Sequence, residues 1–152
     1  MFIAGLFSGV IIIGAFFAFV FPRLIFSVSE SKFDFSQTAE TLIESAGNNS
    51  WSILHQYDLQ ETMTKKGYEV KPVKVFSICK PDISYRILKD DNNRHVSAMM
   101  PCRVTIYEKA DGKTYISRMN VGLFAKLLGG KASAVMVDAY RGSEDVLKTI
   151  EK

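Results

Sequence analysis

Residues that commonly carry chemistry are scarce in this chain. Among 152 residues there are two cysteines, two histidines and one tryptophan. No CxxC, no HxxxH and no cluster of carboxylates at ligand spacing is present, so the usual zinc and iron patterns are missing and no metal is assigned from motifs. CxxCH is absent too, which excludes covalent c-type haem attachment. There is no GxGxxG, and "LLGGK" lacks the first glycine and the final Ser/Thr of a phosphate-binding loop. "GLFSG" holds the letters of a nucleophile elbow but not their order, and no catalytic residue is assigned. No motif names a cofactor. The net charge is only +3, without basic runs interleaved with aromatics, which argues against nucleic acid as a partner. Internal repeats and low-complexity segments are also lacking.

What is abundant is apolar sequence at the start. From Phe2 to Phe21 no charged side chain occurs. As a helix, that length reaches roughly 30 Å, enough for the hydrocarbon core of a bilayer. A cleaved signal peptide is the competing reading, but no lysine or arginine precedes the run and bulky "FVFPRLIF" follows it. The expectation is therefore a single-pass transmembrane anchor over 1–26, a polar tether over 27–34 and one folded domain over 35–152. Ala4, Ser8, Ala15 and Ala18 form a stripe of small residues beside the Gly5/Gly9 pair, a pattern suited to helix packing in lipid. Arg23 and Lys32 after the span lean towards a cytoplasmic domain.

The rest of the chain mixes helical and strand periods. "DFSQTAETLIESAG" places Phe35, Ala39, Leu42, Ile43 and Ala46 on one helical face. "WSILHQY" predicts a strand, and "DLQETMTKKG" a short helix with Asp58 and Glu61 in capping-box spacing. "YEVKPVKVFSIC" predicts a strand and "PDISYRILKD" a helix starting at Pro81. "CRVTIYE" and "KTYISRM" flank Asp111-Gly112, a hairpin signal. "VGLFAKLLGG" and the stretch from Ala132 to Ile150 predict two more helices, the second interrupted at Gly142. Together these give an α+β domain with helices packed on a mostly antiparallel small sheet, preceded by the transmembrane helix.

Three segments in order, "WSILHQYDLQETMTKKGYEV", "VFSICKPDISYRIL" and "MMPCRVTIYEKADGKTYISRMN", resemble the domain of unknown function 302 family. The likeness runs from Phe35 to Ile150, and its most specific part is "PCRVTIYE…DGK". It implies a compact α+β fold and no assigned chemistry. It also implies a bacterial or archaeal protein, since relatives are often exported or membrane-anchored. That habit favours the outer side of the cell membrane for the domain, against the charge count. Some family members have no cysteine at the position of Cys79, so the resemblance carries no thiol mechanism.

Cys79 and Cys102 stand at the end of one predicted strand and the start of another. If those strands pair antiparallel, the two ends meet. Alternation puts Val73, Val75 and Cys79 on one face and Cys102, Val104 and Ile106 on one face, so both sulfurs are expected on the same side. Three readings stay open: two packed thiols, a disulfide worth roughly 3 kcal/mol for a loop of about two dozen residues, or a reactive thiol at Cys79, beside Lys80 and a helix start. Within the third, Cys79 and Cys102 with Met99 or Met100 form a weak candidate for a soft metal. Arg103, Arg118 and Asn120 are a candidate polar rim. His55 and His95 read as structural or surface residues.

These features support two functional expectations. One is a membrane-tethered binding or accessory module, a reading that leans away from an enzyme without excluding one, whose partners are the lipid bilayer and a membrane protein or a second copy. The other is a thiol-dependent redox, sulfur-transfer or soft-metal protein using Cys79 and Cys102.

Overall fold

The structure, a computed structural model, describes Gly9 and residues 13–152. A π-helical turn, Phe16–Val20, and a five-residue helix α1, Phe21–Ile25, lead into strand β1, Phe26–Glu30. Helix α2 spans Phe35–Asn48, started by Asp34, whose carboxylate accepts from Gln37 N at 2.8 Å. Strand β2 (Ser52–Asp58) runs into helix α3 (Leu59–Thr64), where Asp58 plays the same capping part for Glu61 N. Then come strand β3 (Val73–Cys79), helix α4 (Pro81–Leu88), a 3₁₀ segment (Arg94–Met99) and strand β4 (Cys102–Glu108). Strand β5 (Thr114–Met119) and helices α5 (Val121–Leu128) and α6 (Gly130–Leu147) complete the chain.

The five strands form one antiparallel sheet in the order β1-β5-β4-β3-β2. Strands β2 to β5 follow one another as a meander, and β1 pairs beyond β5 to make the other edge. Phe76 and Ile78 of β3, Val104 and Ile106 of β4 and Ile116 of β5 are buried on one face of the sheet. Leu42 and Ala46 of α2 and Val146 and Leu147 of α6 pack over them, closing a first core that also takes in Trp51. A second core holds Ile87, Val96, Val121, Ala125, Val135 and Met136, contributed by the helices and the 3₁₀ segment with no strand residue. Among the described residues nothing covers the opposite face of the sheet, and Phe26, Val28, Tyr57 and Met119 are exposed there.

The α+β expectation with an antiparallel sheet holds, but the transmembrane anchor does not. Among the described residues no helix is long and apolar enough to cross a membrane. Phe26, the last residue assigned to the anchor, already has extended backbone, and β1 pairs with β5 from Phe26↔Met119 onward. The single-pass cell-membrane localisation and the outer-side placement of the domain fall with the anchor. Ala4, Gly5 and Ser8 of the small-residue stripe lie outside the described residues; Ala15 and Ala18 are exposed. The expected tether over 27–34 is largely an edge strand, whose alternation was too polar to stand out.

Two smaller differences concern the C-terminal helix. It begins at Gly130, and it runs unbroken through Gly142. That glycine serves a close approach: a Cβ there would lie 3.0 Å from Cζ2 of Trp51. The helix keeps its turn, and the indole takes the space a side chain would fill.

Candidate functional site: a cavity shared by two thiols

Cys79 ends β3 and Cys102 begins β4, and these strands are neighbours in the middle of the sheet. The register places Ile78 opposite Cys102, so Cys79 stands one residue past the pair. Strand spacing and rise then put the two Cα atoms roughly 6 Å apart. The expectation of a common face from strand parity is corrected by this register. Cys102 shares its face with Ile78, Val104 and Ile106, whereas regular alternation would turn Cys79 to the open face. Cys79 escapes because the strand stops there. Lys80 is the N-cap of α4 and Pro81 its first residue. The Cys79 sulfur lies 2.9 Å from Ser84 Oγ on α4. Both cysteines are free thiols, and both line one cavity.

That cavity, about 20 Å³, is just large enough for a particle the size of one water. Trp51 and Ile78 of the first core wall one side, and Ile87, Val135 and Met136 of the second wall the other. Met100 and Pro101 close it from the chain leading to β4. Four sulfur-bearing residues, Cys79, Cys102, Met100 and Met136, are among those that line it. Trp51 Nε1 is the one buried side-chain polar atom without a hydrogen-bond partner among the described residues. Burial pushes the Cys102 thiol up to about 11, with the neighbouring Cys79 adding to the effect. Cys102 is therefore a protonated thiol at neutral pH.

A groove of about 330 Å³ adjoins the cavity and shares Met100, Pro101 and Cys102 with it. Arg103, Arg118, Met119 and Ser143 also line the groove. Cys102 thus lines both the cavity and the groove, while Lys80 lines the cavity beside Cys79.

The expected polar rim divides on inspection. Arg103 is exposed on the groove wall. Arg118 is held: its Nε and Nη2 each donate to Glu144 at 2.6 Å, and Nη1 donates to Glu151 and Ser29. Burial alone would lower its pKa, but the bonds and charges of Glu144 and then Glu151 outweigh it and hold the guanidinium charged. This clamp ties β5, β1 and the C-terminal helix together. Asn120 caps α5 and bonds by its backbone to Ile25 O and Leu123 N. Of the metal candidates, Met100 lines the thiol cavity and Met99 only the groove. His55 lies beside Tyr57 on the open sheet face, ring centres 4.6 Å apart, and His95 is exposed in the 3₁₀ segment. Among the described residues no three of His, Cys, Asp and Glu gather as a metal cluster.

Sequence reasoning missed Ser84, Trp51 and Met136 as members of the site. Ser84 could have been found, since it follows Pro81 by one helical turn. Met136 could not, because only the packing of α6 against α4 brings it over the cysteines.

Fold and site define a two-layer α+β domain with a pair of thiols lining a small cavity at one end of its sheet. The chain belongs to the DUF302 family, described as a domain of unknown function, whose model matches residues 27–150. The crystal structure of an uncharacterized conserved DUF302 protein from Bacillus stearothermophilus shows the same fold, with a TM-score of 0.73 at 20% identity. The match covers 82% of this chain and 96% of that one. No curated protein matches the chain.

Proposed function

We propose that the domain is a thiol–disulfide protein in which Cys79 and Cys102 cycle between a dithiol and an internal disulfide. The observation that carries this reading is that two free thiols from adjoining strand ends line one cavity. Their Cα spacing falls inside the range a disulfide can bridge. The electron acceptor is a disulfide of a small molecule or of a partner protein. Cys79, as thiolate, attacks one sulfur of that disulfide; the new S–S bond forms as the old one breaks, and the leaving thiolate takes a proton. Cys102 then gives up its proton and attacks the Cys79 sulfur. The internal bond forms, the mixed disulfide breaks, and the second thiol leaves. Two electrons and two protons pass from the chain to the acceptor. Cys79 is assigned the first step because the burial that keeps Cys102 protonated suits it to the second.

The test is oxidation of the reduced chain with a small disulfide, followed by thiol counting and intact mass. An internal disulfide should form in the folded protein and be reversed by dithiol reductant. Cys102→Ser should stop at a mixed disulfide on Cys79, and Cys79→Ser should keep its single thiol. Persistence of both thiols, or cross-linking only between chains, would overturn the reading. The accessory-module expectation is not carried further: its anchor is withdrawn, and nothing in the structure shows what covers the open sheet face.

A further inference from the structure

The geometry points to a second capacity of the same cavity: a binding site for one soft monovalent cation, copper(I), held by Cys79, Cys102, Met100 and Met136. It rests on the same pair of thiols as the redox reading but not on their forming a bond with each other.

Four sulfur-bearing residues from four separate places in the chain line a space the size of one water. They come from the end of β3, the segment before β4, the start of β4 and the middle of α6. Apart from the Ser84 hydroxyl and the Lys80 side chain, the other residues lining this space are apolar or aromatic. Thiolate and thioether donors select copper(I), whereas hard cations need oxygen ligands that this wall does not supply. A cavity of this size has room for a single small ion and none for a hydrated one. The surroundings also fit entry. Cys102 and Met100 line both the cavity and the open groove, so a metal ion reaching the groove meets two of the four donors first. Methionine is a soft and adaptable side chain, and both thioethers can adjust to a metal without moving the backbone. Met136 is 2 % exposed and belongs to the second core, so its sulfur is kept from solvent whether or not a metal is bound.

The experiment is an anaerobic titration of the reduced full chain with copper(I), in competition with a chromophoric copper(I) chelator. One copper per chain should be withdrawn from the chelator. Cys79→Ser and Cys102→Ser should each weaken binding by about 100-fold or more, and Met136→Leu and Met100→Leu by about 10-fold, the scale typical of disturbing a metal site. The leucine variants conserve volume and keep the fold, which far-UV dichroism verifies. Failure to compete with the chelator would overturn the site. So would equal binding by the double cysteine variant, which marks adventitious copper. Unchanged affinity in both methionine variants would overturn the four-sulfur arrangement. A chain that binds copper without forming a disulfide refutes the redox reading alone. One that forms the disulfide but leaves copper with the chelator refutes this inference alone.

Discussion

The two cores of this domain differ in what builds them. The first lies between sheet and helices, where Phe76, Ile78, Val104, Ile106 and Ile116 of paired strands meet Leu42, Val146 and Leu147 of helices, with Trp51 among them. The second lies among helices and the 3₁₀ segment, contains no strand residue and includes or touches Met99, Met100 and Met136. Helix α6 serves both, with Val146 and Leu147 in the first and Val135 and Met136 in the second. The thiol cavity lies on the seam, between Trp51 and Ile78 on one side and Ile87 and Met136 on the other. The difference teaches how the site is divided in labour. The first core fixes where the strand ends meet, hence how far apart the thiols stand. The second core covers them with adaptable side chains.

The largest expected effect is on the first core. Trp51→Ala removes a side chain only 5% exposed that packs against Gly142, and it should destabilise by about 3–5 kcal/mol in chemical denaturation. A loss below about 1 kcal/mol would erase the contrast between a fixing core and a covering one. Next comes the second core. Ile87→Ala should cost about 2–4 kcal/mol and should speed alkylation of Cys102 under native conditions. Leu42→Ala, of similar cost but remote from the cavity, should raise that rate only in proportion to global unfolding. Equal acceleration by both would show that the second core does not act as the cover.

Smaller still is the pH effect in the reduced, metal-free chain. The folded Cys102 thiol, at about 11, lies above the ordinary value of 9.0 for an unfolded cysteine. Its contribution is therefore complete below pH 9 and is lost as pH rises towards 11, because the unfolded thiol ionises first. Wild type should lose about 2 kcal/mol more than Cys102→Ala over that interval. Parallel stability curves would place the thiol in water. The smallest effect belongs to Met136→Leu without copper, expected to change stability by less than about 1.5 kcal/mol. A larger loss would mean that the second core is as tightly fitted as the first.

Much of the element plan was legible because its signals are local. Asp58 marked a helix start, Pro81 fixed the start of α4, and Asp111-Gly112 marked the hairpin, with Gly112 at φ 74°. The end-to-end placement of Cys79 and Cys102 was legible for the same reason: a strand, a helix and a returning strand leave their ends side by side. Their side-chain directions were not. Alternation assumes that a strand continues, and Cys79 is where it stops. Nor was β1 legible, since its partner β5 lies about ninety residues further on and an edge strand of alternating Ser and Val has a weak pattern of its own.

By itself, then, the sequence determined the α+β class, the caps and turns, and the adjacency of the two cysteines, because each depends on residues a few positions apart or on strand direction alone. The tertiary structure decided the rest. It drew the end of the apolar N-terminal run into the edge of the sheet, clamped Arg118 between two carboxylates, and set Met136 and Trp51 around the thiols. Those arrangements arise from contacts between segments tens of residues apart, and no local period or spacing encodes which of them meet.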